Sequence, residues 1–232
     1  MAMPTSGKVK PCVLITGTTG MVGEGVLHEC LLHPEIGQVI VVNRKPCGVT
    51  HPKLTEIVHA DFFDITPLQE RLSGVNACFF CLGVTSVGLN ESQYTRLTYD
   101  LTLHVAGKLA EWNPGLVLCY VSGTGTDSTE NGRSMWARVK GRTENALLRL
   151  PLRKAHMFRP GYIHPTKGLR NTHRYYHALT WLYPPLNKLF PRYFVTLREV
   201  GLAMIQTAIG NVEATILEIP DIRRTAQQAA RG

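Results

Sequence analysis

The chain has 232 residues, 44% of them hydrophobic, with a formal charge of +8 and six cysteines. That length fits one domain, residues 1–232, with core enough to need no staples, and the scattered cysteines read as reduced thiols in the cytoplasm rather than as a disulfide framework. No apolar run nears the roughly 18 residues of a membrane span, residues 1–10 lack the apolar stretch of a secretory signal, and basic residues spread from Arg44 to Arg224 without a nucleic-acid-reading motif argue against a nucleic-acid partner.

The first strand-like run, residues 11–16, ends in Cys12-Val13-Leu14-Ile15-Thr16 and breaks into Gly17-Thr18-Thr19-Gly20-Met21-Val22-Gly23. Val22, Val26, Leu27, Cys30 and Leu31 then fall on one helical stripe, which His33-Pro34 closes because a residue before proline avoids the α region. A glycine-rich turn between a buried strand and a helix lets a pyrophosphate approach bare backbone and rest against the N–H groups and positive dipole of the helix start. The second run, 38–42, ends in Asn43-Arg44-Lys45, where such a site reads the adenosine ribose. An acidic residue there would accept from a free 2′-hydroxyl, whereas Arg44, with Lys45 beside it, offers a cationic fork suited to a 2′-phosphate. The expected cofactor is NADP(H) in preference to NAD(H).

Further runs follow at 54–58, 77–82, 116–121, 155–159 and 214–219, most of them continuous rather than alternating, as strands buried on both faces of a parallel sheet read. Long helical patterns fall at 91–112, ending at Asn113-Pro114-Gly115, and at 134–150, stopping before Pro151. The alternation predicts an α/β fold, a doubly wound, Rossmann-type sheet with helices on both faces and its ligand crevice at the strands' carboxyl ends. After Tyr162 the pattern weakens. Aromatics from Tyr175 to Phe194, interrupted by Pro184-Pro185 and Pro191, predict two short pieces forming a substrate-side cap over 162–194; closing the core, a dimer surface or a membrane contact are the other readings. Cys78 and Cys81 lie three apart in a strand, on opposite faces, and read as core packing. His173 and His177 have helical ligand spacing but no evident third ligand, so no metal is expected.

These motifs, taken in order, resemble those of the short-chain dehydrogenase/reductase superfamily, in the branch that includes sugar-nucleotide epimerases. Thr16 to Gly23 matches its TGxxGxxG turn, and Cys81-Leu82-Gly83 and Val139-Lys140-Gly141 are similar to patterns of the atypical members grouped with the Tat-interacting protein oxidoreductases. The resemblance implies that Gly17, Thr18, Thr19, Gly20, Met21, Val22 and Gly23 cradle the pyrophosphate, and that Asn43, Arg44 and Lys45 lie at the ribose. It further implies that Asp61 and Phe62 meet the adenine, that Leu82, Gly83 and Val84 line a cofactor ribose, and that Pro160 and Gly161, after Arg159, contact the nicotinamide. Ser122 takes the place of the catalytic serine and Lys140 that of the lysine that holds the nicotinamide ribose. Family members often pair into homodimers through the helices corresponding to 91–112 and 134–150.

One residue departs from the pattern. The family's YxxxK is here Trp136-Ala137-Arg138-Val139-Lys140, so the lysine is present and the tyrosine is not. Positions 136 and 140 share one helix face, but an indole N–H does not serve as a general acid or base near neutral pH, and losing such a group typically costs about 10²- to 10⁴-fold in rate. Tyr162, Tyr94, Tyr99 and His164 are candidates for another proton donor. Two functions stay open: an NADP-dependent oxidoreductase or epimerase-like enzyme for a small carbonyl or sugar-derived substrate, and a non-catalytic NADP-binding regulatory or interaction protein.

Overall fold

The computed structural model describes residues 9–171, Pro185 and residues 188–230. Seven strands form one sheet: β1 (Cys12–Thr16), β2 (Gln38–Asn43), β3 (Leu54–Val58), β4 (Ala77–Phe80), β5 (Val117–Val121), β6 (Lys154–Arg159) and, from the C-terminal region, Ile216–Glu218. The spatial order is β3-β2-β1-β4-β5-β6 and then the Ile216–Glu218 strand, and every pairing is parallel. The direction of winding reverses between β1 and β4, so the crevice beyond their carboxyl ends is the topological switch point, the place where doubly wound sheets take ligands.

Continuous apolar strands are required because both faces are covered. Val13, Ile15, Val39, Val41, Phe79 and Cys119 point into one core layer, against α1 (Met21–Leu32) and two C-terminal helices. Leu14, Ile40, Val42, Cys78, Phe80 and Tyr120 point into the other. The strand period of two thereby separates Cys78 from Cys81, which packs on the first layer. Helix α1 ends at His33, held extended by Pro34.

The helix expected over 91–112 is continuous across that span, entered through a reciprocal Asn90–Gln93 capping box, with a wider π turn at Arg96–Asp100. The helix expected over 134–150 runs Met135–Leu147 and is followed by a turn, three residues short of the proline. The Thr66–Leu72 turn and short helix complete the crossover between β3 and β4.

Beyond β6, Tyr162–His164 and Phe194–Thr196 pair as a small two-stranded parallel sheet. Of the cap expected over 162–194, residues 172–184, 186 and 187 lie outside the described residues, as do His173 and His177. Two helices that the sequence reading did not anticipate follow, Leu197–Ile209 and Ile219–Ala229. The first is opened by a Thr196–Glu199 capping box and the second carries Pro220 in its first turn, where a missing N–H costs nothing. Among the described residues no helix is long and apolar enough to cross a membrane.

Candidate functional site

The glycine turn is built on contact distances that no side chain could share. Gly17 has a φ of +73°, and a Cβ there would lie 2.7 Å from both the Cys81 carbonyl oxygen and the Leu82 amide nitrogen, so the turn rests directly on the tip of β4. A Cβ on Gly23 would come within 2.2 Å of the Gly17 carbonyl oxygen, which brings the first turn of α1 flush against the loop. Thr19 and Gly20 face outward and are exposed. Gly20 is the N-cap of α1 and offers no side-chain cap, leaving first-turn amides of Met21, Val22 and Gly23 to be met by an external anion. A diphosphate fits this cradle in charge and in the absence of obstructing side chains.

Asn43 ties the second strand to that turn. Its amide accepts the Thr18 N–H at 3.2 Å, donates to the Thr18 hydroxyl at 2.7 Å and to Glu56 at 3.3 Å, and is 2% exposed. Its side chain is thus consumed in holding the loop. Glu56 also accepts the Cys47 N–H at 2.7 Å, which shapes the chain after β2 so that Arg44 and Lys45 stand exposed beside the crevice. Asp61 is exposed and accepts the Phe63 N–H at 2.8 Å, whereas the Phe62 ring is buried among Ile57, Ile65 and Leu68. Leu82 is half-buried on the core, and Gly83 and Val84 are exposed after β4.

On the other side of the crevice, β5 ends in Ser122 and the helix Met135–Leu147 brings Lys140 to it. The Lys140 ammonium donates to the Ser122 carbonyl at 2.5 Å, with the Val121 carbonyl at 3.4 Å. Burial pushes its pKa down to about 8, against the pull of the Glu144 carboxylate. The Ser122 hydroxyl is turned the other way: it lies 2.5 Å from Glu144 Oε1 and 3.1 Å from the Phe158 carbonyl, and the residue is 7% exposed. Glu144, wholly buried, is ion-paired with Arg159, whose Nε lies 3.1 Å from Oε1. Arg159 also donates to the Ser128 hydroxyl at 2.5 Å and approaches Glu218 at 3.4 Å. Charge-assisted bonds to Glu144 raise the Arg159 pKa further.

The loop from Gly123 to Asp127 lies flat on this helix. A Cβ on Gly141 would be 1.7 Å from the Asp127 carbonyl oxygen, which is the physical reason a glycine follows Lys140. Trp136, half-buried, lays the edge of its indole 3.6 Å from where a Cβ on Gly125 would stand. Pro160 accepts the Thr124 N–H at 2.9 Å, and Gly161 leaves room for the Tyr193 carbonyl, 2.8 Å from a Cβ there.

The alternative proton donors are dispersed. Tyr94 is 2% exposed, and burial raises its pKa. The Tyr99 ring carries the Arg142 guanidinium at 4.2 Å, and Tyr162 packs against Phe194. His164 lines a cavity of about 480 Å³ with Thr196, Arg198 and Glu199, and burial lowers its pKa. The sequence reading missed Glu144 and Ser128 as partners of this site; Lys140 and Glu144, four apart on one helix face, were the available signal. Among the described residues no group of three or more His, Cys, Asp or Glu could hold a metal ion.

Comparison with known proteins agrees with this fold. Residues 13–124, from β1 to the loop after β5, match the NAD dependent epimerase/dehydratase family. The chain is 28% identical over 155 residues to "Protein fmp52-1, mitochondrial" of Aspergillus oryzae, a match that covers 64% of each chain. Among solved structures, it superimposes on the Bordetella bronchiseptica enzyme WbmF in complex with NAD+ with a TM-score of 0.62 at 15% identity, covering 95% of this chain and 78% of that one. It also superimposes on the UDP-N-acetylglucosamine 4-epimerase of Methanobrevibacter ruminantium with a TM-score of 0.64 at 13% identity, covering 94% and 81%. At those identities the structural likeness is one of fold. Together the findings bear out the resemblance to an atypical, epimerase-like short-chain dehydrogenase/reductase.

Proposed function

We propose that this epimerase-like chain binds NADP(H) across the switch point between β1 and β4 and acts as an oxidoreductase or epimerase on a small carbonyl or sugar-derived substrate. One observation carries the reading: Gly17 lets the turn rest on Cys81 and Leu82, while Gly20 leaves the start of α1 uncapped, a cradle shaped for a diphosphate. When bound, the nicotinamide would supply hydride transfer. Residues 17–23 hold the diphosphate, Arg44 and Lys45 take the 2′-phosphate, Asp61 and the Phe62 backbone meet the adenine, and Leu82, Gly83 and Val84 line the ribose. Pro160 and Gly161 border the nicotinamide. Lys140, already desolvated at the end of β5, exchanges a backbone carbonyl for ribose hydroxyls and, with a pKa of about 8, exchanges a proton near neutrality. The unit is the whole chain, residues 1–232, with 162–194 as its substrate-side cap, and two copies pair through the helices at 91–112 and 134–150. Six free cysteines support a reducing compartment, which we take as the cytoplasm, although the fungal relative carries a mitochondrial name.

A second reading has its own support. Trp136 stands where a phenol would exchange the substrate proton, and the hydroxyl of Ser122, at the place of the catalytic serine, is engaged by Glu144. Both favour a non-catalytic NADP-binding protein whose occupancy sets an interaction surface.

NADPH absorbance followed against a panel of small carbonyls, with Trp136→Tyr beside the wild type, separates the two. Turnover by the wild type, or turnover raised about 10²-fold or more by the restored phenol, supports the enzyme. Consumption by neither protein favours the binding protein.

A further inference from the structure

We propose that Arg170, carried on a strap anchored to Glu24, is a third cation of the 2′-phosphate site; this rests on the NADP(H) reading above. The strap leaves the Tyr162–His164 strand, turns at Gly168 with a φ of +89°, and seats Leu169 on the core layer that α1 covers. The next two backbone amides, of Arg170 and Asn171, both donate to the Glu24 carboxylate, at 2.8 and 2.7 Å. Glu24 is the fourth residue of α1, 9% exposed, on the same helix that presents its start to the diphosphate. Two strap amides satisfy its oxygens, so a carboxylate close to an anion site is quenched by local dipoles.

The side chain of Arg170 then reaches across to the loop that follows β2. One guanidinium nitrogen lies 3.2 Å from where a Cβ on Gly48 would stand, and Gly48, with a φ of +69°, is both left-handed and bare. The guanidinium therefore lies over the backbone of the turn that Arg44 and Lys45 open. Arg44, Lys45 and Arg170 are all exposed, and among the described residues none has a carboxylate within ion-pair distance. Arg44, Lys45 and Arg170 thus belong to one loop region without an ion-paired carboxylate, and a dianionic phosphate held among them would gain a bidentate partner. The glycine turn itself carries no arginine or lysine, so the charge has to come from elsewhere in the chain. Arg170 lies outside residues 13–124, the segment that matches the epimerase/dehydratase family.

The test is a titration of wild type, Arg170→Ala and Arg44→Ala with NADPH and with NADH, read by calorimetry at two salt concentrations. Arg170 is exposed, so its removal leaves folding intact, which a melting curve checks. Arg170→Ala is expected to weaken NADPH about tenfold, the loss of one charge-assisted contact, to leave NADH unchanged and to flatten the salt dependence of NADPH binding. Unchanged NADPH affinity in Arg170→Ala, with a loss in Arg44→Ala, overturns the role of Arg170 and leaves the NADP(H) reading standing. Equal affinity of the wild type for the two cofactors overturns the NADP(H) reading and this inference with it.

Discussion

Ser122 and Glu144 meet at 2.5 Å beneath the crevice, a hydroxyl donating to a carboxylate that Arg159 holds from the other side. The pairing fixes the end of β5 against the helix Met135–Leu147 and the end of β6, and so sets the position of the Ser122 carbonyl that receives Lys140. It also accounts for a charged pair in an interior that would otherwise exclude one, since Ser122, Ser128 and Glu218 supply further bonds to the two groups.

Removing one member of the pair should be costly. Arg159→Ala leaves Glu144 buried and unpaired, and a loss of about 3–5 kcal/mol of unfolding free energy is expected. Urea denaturation measures it. A loss below about 1 kcal/mol would mean that water or a rearranged neighbour compensates the carboxylate.

Gly141 and Gly107 make an internal contrast on two helices. A methyl at Gly141 meets the Asp127 carbonyl oxygen, whereas one at Gly107 meets nothing within 4 Å. Gly141→Ala should destabilise by about 3 kcal/mol, toward the upper end for overpacking, and Gly107→Ala should stabilise by about 0.4–1 kcal/mol through the unfolded chain. Melting temperatures that move in the same direction for both would contradict the close contact.

Lys140 should titrate near pH 8, against the ordinary lysine value of 10.5. Because its folded pKa is the lower one, burial of the ammonium costs stability in full below pH 8, and that cost is relieved as the pH rises from about 8 to 10.5. Competitive acylation should therefore show Lys140 reacting with a midpoint near 8. In parallel, the stability of the wild type relative to Lys140→Met should rise across that interval. A midpoint near 10.5 would place the amine in water.

How much of this could be read from the sequence depends on range. The sheet was legible because strands covered on both faces need unbroken apolar runs, and the glycine turn because three close backbone contacts each exclude a Cβ. Trp136 at the tyrosine position was equally plain. The direction of the Ser122 hydroxyl was not, because its partners, Glu144 and the Phe158 carbonyl, come from other elements, and the Lys140–Glu144 spacing marks a shared helix face without showing what that face meets. Nor was the hold of Asn43 on the glycine turn, because its amide meets Thr18, a partner 25 residues away. The helix Leu197–Ile209 had a visible start in Thr196-x-x-Glu199, which went unread among the aromatics and prolines before it.

The central claim is a dinucleotide held on the Gly17–Gly23 turn with its 2′-phosphate on Arg44, and calorimetry of the pure, folded protein with NADPH and NADH tests it most directly. The account predicts heat with both and a preference for NADPH of roughly ten- to a hundredfold, the worth of a charge-assisted contact, which Arg44→Ala cuts about tenfold while sparing NADH. No heat with either dinucleotide would contradict it.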